Sequence, residues 1–320
     1  MPEIPVQSWT VPGKLMIAGE YAVVQPGGHS LAVATGALVR ATLRPGPGQV
    51  VLSAFAQVWN ITAQGPNSGL AAFVASSLAI AEQRWNIHLS EQLLLEVFGD
   101  RGGLKLGLGT SAAVTVATLQ GAARSANVRP DIAEIADLSR LVHATVQSPP
   151  GSGYDVTTIA WGGCVAYRKD AATTSRLRWP NGIFAAALYS GHAASTALAL
   201  QAHPLTEEQL AAIDRAARAL CEAWPTATAK AVLEALSACQ NAFDQSSLAA
   251  VAGANPGVVA ARNCIRAQGG TFRSSGAAGG DCVLAFADNA LTIHKITKSW
   301  QEQGGLVVAE FPRDLAGAME

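Results

Sequence analysis

The segment Lys105-Leu106-Gly107-Leu108-Gly109-Thr110-Ser111-Ala112-Ala113 constrains this chain more than any other, because it runs a glycine-rich turn straight into a long alanine-rich stretch. Gly107 and Gly109 can take backbone angles that other residues avoid, which lets neighbouring N–H groups turn toward one anion. From Ser111 the run Ala112-Ala113-Val114-Thr115-Val116-Ala117-Thr118-Leu119 holds good helix formers and few breakers. A helix N-terminus, with its unpaired N–H groups and positive dipole end, therefore falls at the same point. Lys105 adds a full charge beside it. Lys105, Gly107, Leu108, Gly109, Thr110, Ser111 and Ala112 thus read as a phosphate cradle, against the plainer alternative of a glycine turn capped by Ser111.

A chain of 320 residues with 49% hydrophobic content can build one large or two ordinary domains. Its 22 basic and 23 acidic residues leave a formal charge of -1. No global field draws in nucleic acid, so any anionic ligand must be held by local groups and helix ends. The start Met1-Pro2-Glu3-Ile4-Pro5 lacks a basic region followed by an apolar core, so no signal peptide is expected. The longest apolar run, residues 70–81, is broken by Ser76 and Ser77 and is too short to span a bilayer, so no membrane partner is expected. Five cysteines without C-x-x-C spacing argue against a disulfide framework or a zinc site and suit a reducing cytoplasm.

Along the chain, apolar or alternating runs at 14–18, 31–34, 37–44 and 49–55, punctuated by Gly and Pro, predict a sheet. Within Pro12-Gly13-Lys14 through Gly19-Glu20-Tyr21, Lys14 opens a strand and Glu20 closes it; alone, these would be a solvated lysine and a turn glutamate. Helices are expected over 68–85 and 131–147, with a strand over 91–98 between them. Gly151-Ser152-Gly153-Tyr154-Asp155 places a carboxylate just before a short apolar helix, a position that suits a catalytic acid or an N-cap. Strands follow at 164–168 and 183–189, with a polar stretch, 169–178, as the expected boundary between lobes. His192, Ser195 and Thr196 lie on a glycine loop entering a helix that runs to about residue 200, where hydroxyls cap by default and an anion could use the same N–H groups. Helices are read over 207–223, 228–251, 256–268 and 290–303, and a last strand over 305–309. Between them, Ser275-Gly276-Ala277-Ala278-Gly279-Gly280-Asp281 runs into an apolar strand; its glycines allow close backbone approach, or Asp281 simply fixes the turn.

Taken together and in this order, residues 12–24, 105–113 and 275–286 resemble the three motifs of the GHMP kinases, the superfamily of galactokinase, homoserine kinase, mevalonate kinase and phosphomevalonate kinase. The likeness spans nearly the whole chain. Lys105 ahead of the central loop, the Gly-Ser-Gly-Tyr-Asp-Val segment at 151–156 and the Ser195-Thr196 pair make it most similar to the phosphomevalonate kinase branch. Thr110 stands where the family commonly has a first serine, and Ala277-Ala278 where it often has glycine. The resemblance implies an α+β protein with a lobe like the second domain of ribosomal protein S5 over 1–175 and a ferredoxin-like lobe over 176–320. It implies ATP over residues 105–112, with Ser111 helping to hold Mg²⁺, and Lys14, Lys105 and Asp155 as catalytic groups. Phosphomevalonate would be the acceptor, with Lys14, Glu20, Tyr21, Ser152, Gly153, Tyr154, His192, Ser195, Thr196, Gly279, Gly280 and Asp281 on its side. A cytoplasmic monomer or homodimer is expected. The alternatives are mevalonate kinase or another small-molecule kinase of the superfamily, or a non-catalytic ATP-binding regulator on the same fold.

Overall fold

The computed structural model describes residues 6–66, 68–98, 105–148, 150–169, 174–192, 201, 203–276 and 280–315. Two compact units interleave in sequence: one takes the chain up to Lys14 together with Ala34–Gly162, the other Leu15–Val33 together with Gly163–Leu315. Strands β1 (Gln7–Ala18) and β2 (His29–Arg44) each run from one unit into the other. The polar stretch 169–178 falls inside the second unit.

In the first unit the strand order is β4-β3-β5-β2, with β1 also pairing β2. Strands β3 (Gln49–Ala54) and β5 (Gln92–Val97) are parallel, Val51 opposite Leu94, so the chain must cross over between them, which it does through α1 (Gly69–Trp85). The apolar runs at 31–34 and 37–44, read as two strands, form the single strand β2. Strand β4 (Gln57–Ile61) was not expected. It is joined to β3 by Phe55-Ala56, both at positive φ (52° and 57°), and neither residue carries the turn chemistry by which a hairpin is recognised.

Helix α2 (Thr110–Ser125) has every residue from Ala112 to Ala123 buried. Apart from Gln120, the side chains of that stretch are apolar or small, as a helix buried on all sides requires. At Gly121 a β-carbon would come within 2.5 Å of Leu93 Cδ2, so α2 lies directly on β5. Helices α3 (Ile132–Val146) and α4 (Tyr154–Trp161) complete the unit.

In the second unit the first part of β2 pairs β6 (Cys164–Arg168), which pairs the short β7 (Ser175–Leu177). A separate sheet has the order β11-β8-β10-β9, all antiparallel: β8 (Phe184–Tyr189), β9 (Thr271–Ser274), β10 (Cys282–Ala287) and β11 (Leu306–Phe311). Helices α5 (Glu207–Ala223), α6 (Ala229–Asp244), α7 (Ala249–Ala254) and α8 (Pro256–Ala267) lie between β8 and β9, and α9 (Ala290–Glu302) between β10 and β11. This is the ferredoxin-like strand plan. Its core gathers Phe243, Leu248, Ile265, Phe272, Val283, Ile296 and Trp300.

The helix read over 228–251 is two helices. The Ser246 hydroxyl donates to the Phe243 carbonyl at 2.7 Å and accepts from the Leu248 N–H at 3.3 Å, an alternative to helical bonding that ends α6. Strands β7 and β9 were also missed, being three and four residues long. The helix expected after Ser195 lies outside the described residues. Among those described, no helix is long and apolar enough to cross a membrane.

Candidate active site

In the first unit, the middle of β1, at Gly13 and Lys14, lies flush against the glycine turn. A β-carbon on Gly13 would sit 2.7 Å from Thr35 Oγ1 and 2.9 Å from the Leu108 carbonyl oxygen, and the Lys14 N–H donates to that same carbonyl at 2.9 Å. Leu106 and Leu108 are buried and anchor the turn from below, while Lys105 is exposed. Gly107 and Gly109 take φ of 74° and 81°, the left-handed region that favours glycine.

The Lys14 side chain crosses this turn. Its ammonium donates to the Gly107 carbonyl at 3.2 Å and stands 5.6 Å from the centroid of the Tyr154 ring. Its stem passes over Gly109, where a β-carbon would lie 3.0 Å from Lys14 Cε. Gly109 is the N-cap of α2, and no side chain caps the helix. Ser111 is therefore not a cap, and its half-buried hydroxyl sits with Thr110 in the first turn, beside N–H groups that an anion could take. Ala112 is fully buried and seats the helix.

Helix α4 repeats the device. Gly153, at φ 84°, is its N-cap, again without a capping side chain, and Tyr154 and Asp155 form the first turn after half-buried Ser152. Asp155 is thus not a cap. Its Oδ1 accepts the Val156 N–H at 2.9 Å, and its Oδ2 lies 3.8 Å from Nδ1 of His143 on α3. Lys14 thus meets the ring of Tyr154, the residue just before Asp155. His143 escaped the sequence reading. The signal that could have found it is a histidine on the buried face of α3, which holds Ile135, Leu138, Ser139 and Val142.

The second unit revises two expectations. The Glu20 carboxylate, expected on the substrate side, is 1% exposed and receives Arg273 Nη2 at 2.6 Å. Arg273 is itself fully buried, and also donates to the Ile17 carbonyl and to Gln240 Oε1. Burial pushes the Glu20 carboxyl up from its ordinary value, and the charge of Arg273 offsets this only in part. Glu20 is a structural partner of Arg273, closed to a ligand. Tyr21 is 5% exposed and packs in the hydrophobic core. Its hydroxyl is pushed far up by burial and then by the charge of Glu20; it too is a packing residue.

Gly280 is buried. The Asp281 N–H donates to the His192 carbonyl, and the Asp281 carbonyl accepts the Ser190 N–H, which fixes the turn into β10. His192 is exposed. Ser195, Thr196 and Gly279 lie outside the described residues. No group of three His, Cys, Asp or Glu able to hold a metal ion occurs among the described residues.

Residues 101–163, which include the glycine turn and helices α2, α3 and α4, match the GHMP kinases N terminal domain. With the α+β fold above, the chain is similar to the GHMP kinases. The chain is 27% identical to the phosphomevalonate kinase of Streptomyces sp. (strain CL190), over 97% of its own length and 96% of that protein. In fold it is similar to Streptococcus pneumoniae phosphomevalonate kinase in complex with phosphomevalonate and AMPPNP, with a TM-score of 0.81 at 17% identity over 96% of this chain and 99% of that one. It is also similar to Methanococcus jannaschii mevalonate kinase, with a TM-score of 0.78 at 15% identity over 99% of this chain and 100% of that one.

Proposed function

We propose that this chain transfers the γ-phosphoryl group of ATP to the 5-phosphate of phosphomevalonate, giving 5-diphosphomevalonate and ADP. The observation that carries this reading is the Lys14 ammonium held over the glycine turn, at the N-terminus of a helix that no side chain caps. Likeness to a phosphomevalonate kinase over nearly the full length, and the exposed Lys105 beside the cradle, favour an acceptor that is already phosphorylated.

Two highly anionic groups must meet in line, so catalysis rests on positioning and charge neutralisation. The N–H groups of Thr110, Ser111 and Ala112 hold the nucleotide's phosphates, Lys14 faces the phosphoryl group in transit, and Lys105 serves the acceptor phosphate or the β/γ region. Mg²⁺, when bound, neutralises phosphate charge. The Ser111 hydroxyl is the protein oxygen we assign to it, which suits an ion that draws most of its ligands from nucleotide and water.

Asp155 orients rather than deprotonates. A phosphate monoester has a second pKa of about 6, so near neutral pH its attacking oxygen has already lost its proton. Release of ADP with mevalonate and with phosphomevalonate, measured side by side, tests the acceptor: turnover of phosphomevalonate alone is expected, and turnover of mevalonate alone would replace this reading. Asp155→Asn is expected to keep the acidic limb of the pH–rate profile. Loss of that limb with a rate drop above about ten-thousandfold, more than general-base catalysis typically contributes, would make Asp155 a base.

A further inference from the structure

His143 is a buried polar group that the phosphoryl-transfer scheme leaves without a task. It is 3% exposed, its ring lies against Phe73 of α1 with centroids 4.8 Å apart, and its Nε2 has no hydrogen-bond partner among the described residues. Leaving a buried polar atom unsatisfied costs stability, a cost that a leucine at this position would avoid. The other ring nitrogen, Nδ1, faces Asp155 Oδ2 at 3.8 Å. That is longer than a hydrogen bond, but active-site hydrogen bonds are often long until substrate is present. Asp155 Oδ1 is already held by the Val156 N–H, so Oδ2 is the oxygen His143 can govern. One turn earlier on α3, Arg140 donates to Thr157 Oγ1 at 3.2 Å, so a hydrogen bond ties α3 to α4 beside the pair.

We propose that His143 is a positioning residue for Asp155: its Nδ1–H closes on Oδ2 when substrates bind and fixes the rotation of the carboxylate. The hydrogen belongs on Nδ1 because a hydrogen on Nε2 would be a buried donor facing no acceptor, and orphaned donors are rarer than under-satisfied acceptors. The proposal rests on the orienting role assigned to Asp155 above, and its test separates the two.

The first arm is a kinetic double-mutant cycle on the acceptor that wild type turns over. His143→Leu is expected to lower kcat about tenfold to a hundredfold with both KM values within about threefold, the pattern of an interaction used in the transition state. His143→Asn, whose amide nitrogen stands near the place of Nδ1, is expected to recover most of that loss. In an Asp155→Asn background, His143→Leu is expected to cost less than about twofold, because coupled residues are not additive. An asparagine no better than leucine, losses that multiply in the double variant, or a raised KM at unchanged kcat would each overturn the proposal. The second arm needs no acceptor: nitrogen NMR of histidine-labelled wild type is expected to show the His143 hydrogen on Nδ1, and its resonance to move in Asp155→Asn. A hydrogen on Nε2, or no response, overturns the pairing. Should neither acceptor be turned over, the proposed function falls while the NMR arm still decides the pair.

Discussion

Lys14 and Glu20 belong to one short motif, carry opposite charges and meet opposite fates. Lys14 donates to the carbonyl oxygen of the glycine turn and lies against an aromatic face, beside the start of a helix that no side chain caps. Glu20 is enclosed with a guanidinium that is fully buried. What separates a charge that can act on a ligand from one that holds the fold is the partner it meets, and the motif does not name that partner. The comparison predicts that changes at Lys14 register in turnover and changes at the Glu20–Arg273 pair register in stability.

The largest expected effect is at Lys14. Lys14→Met should lower kcat by about a thousandfold or more, some 4 kcal/mol of barrier, while a denaturant melt stays close to wild type. Activity within about threefold would make Lys14 a bystander and erase the contrast. At the other pole, Arg273→Met leaves the Glu20 carboxylate buried without its charge partner, a change that typically costs about 3–5 kcal/mol. Urea unfolding followed by circular dichroism measures it; a loss under about 1 kcal/mol would mean that solvent reaches the pair, and would reopen Glu20 as a ligand-facing group.

Gly109 ties the two readouts together. Its φ of 81° is strained for any residue with a side chain, and a β-carbon there would press on Lys14 Cγ and Cε at 3.1 and 3.0 Å. Gly109→Ala should cost about 1–2 kcal/mol of stability through the backbone, and in addition lower turnover about tenfold by displacing Lys14. A stability loss with wild-type turnover would show that Lys14 does not depend on the turn.

What the sequence could disclose follows the same division. The glycine turn and α2 were legible because glycine spacing and helix propensity are local properties, whereas the contact of Lys14 with Gly107, 93 residues further on, was not. The start of α4 was legible for the same reason. The fate of Glu20 was not, since Arg273 is 253 residues away along the chain, and nothing local distinguishes a buried glutamate from a turn glutamate. His143 was missed because a histidine among apolar residues is usually a core residue, and Asp155 meets it only once α3 packs on α4. Strand β4 was missed because Phe55-Ala56 makes a hairpin turn without the residues that normally announce one.

The smallest expected effect is also the one that tests why Glu20 is closed. In an unfolded chain its carboxyl titrates near 4.5, and in the fold burial disfavours the charged form and raises that value, with Arg273 opposing. A group that binds its proton more tightly when folded adds stability that is fully present below the unfolded pKa and is lost as pH rises through the folded one. Glu20→Gln removes this titration while every other carboxylate still titrates in both proteins. The stability of wild type minus that of Glu20→Gln is therefore expected to shrink as pH is raised from 4.5 toward neutrality, with a slope no steeper than about 1.4 kcal/mol per pH unit, the limit for one proton. Paired urea melts across that range measure it. A difference that grows with pH would show that the attraction of Arg273 outweighs burial.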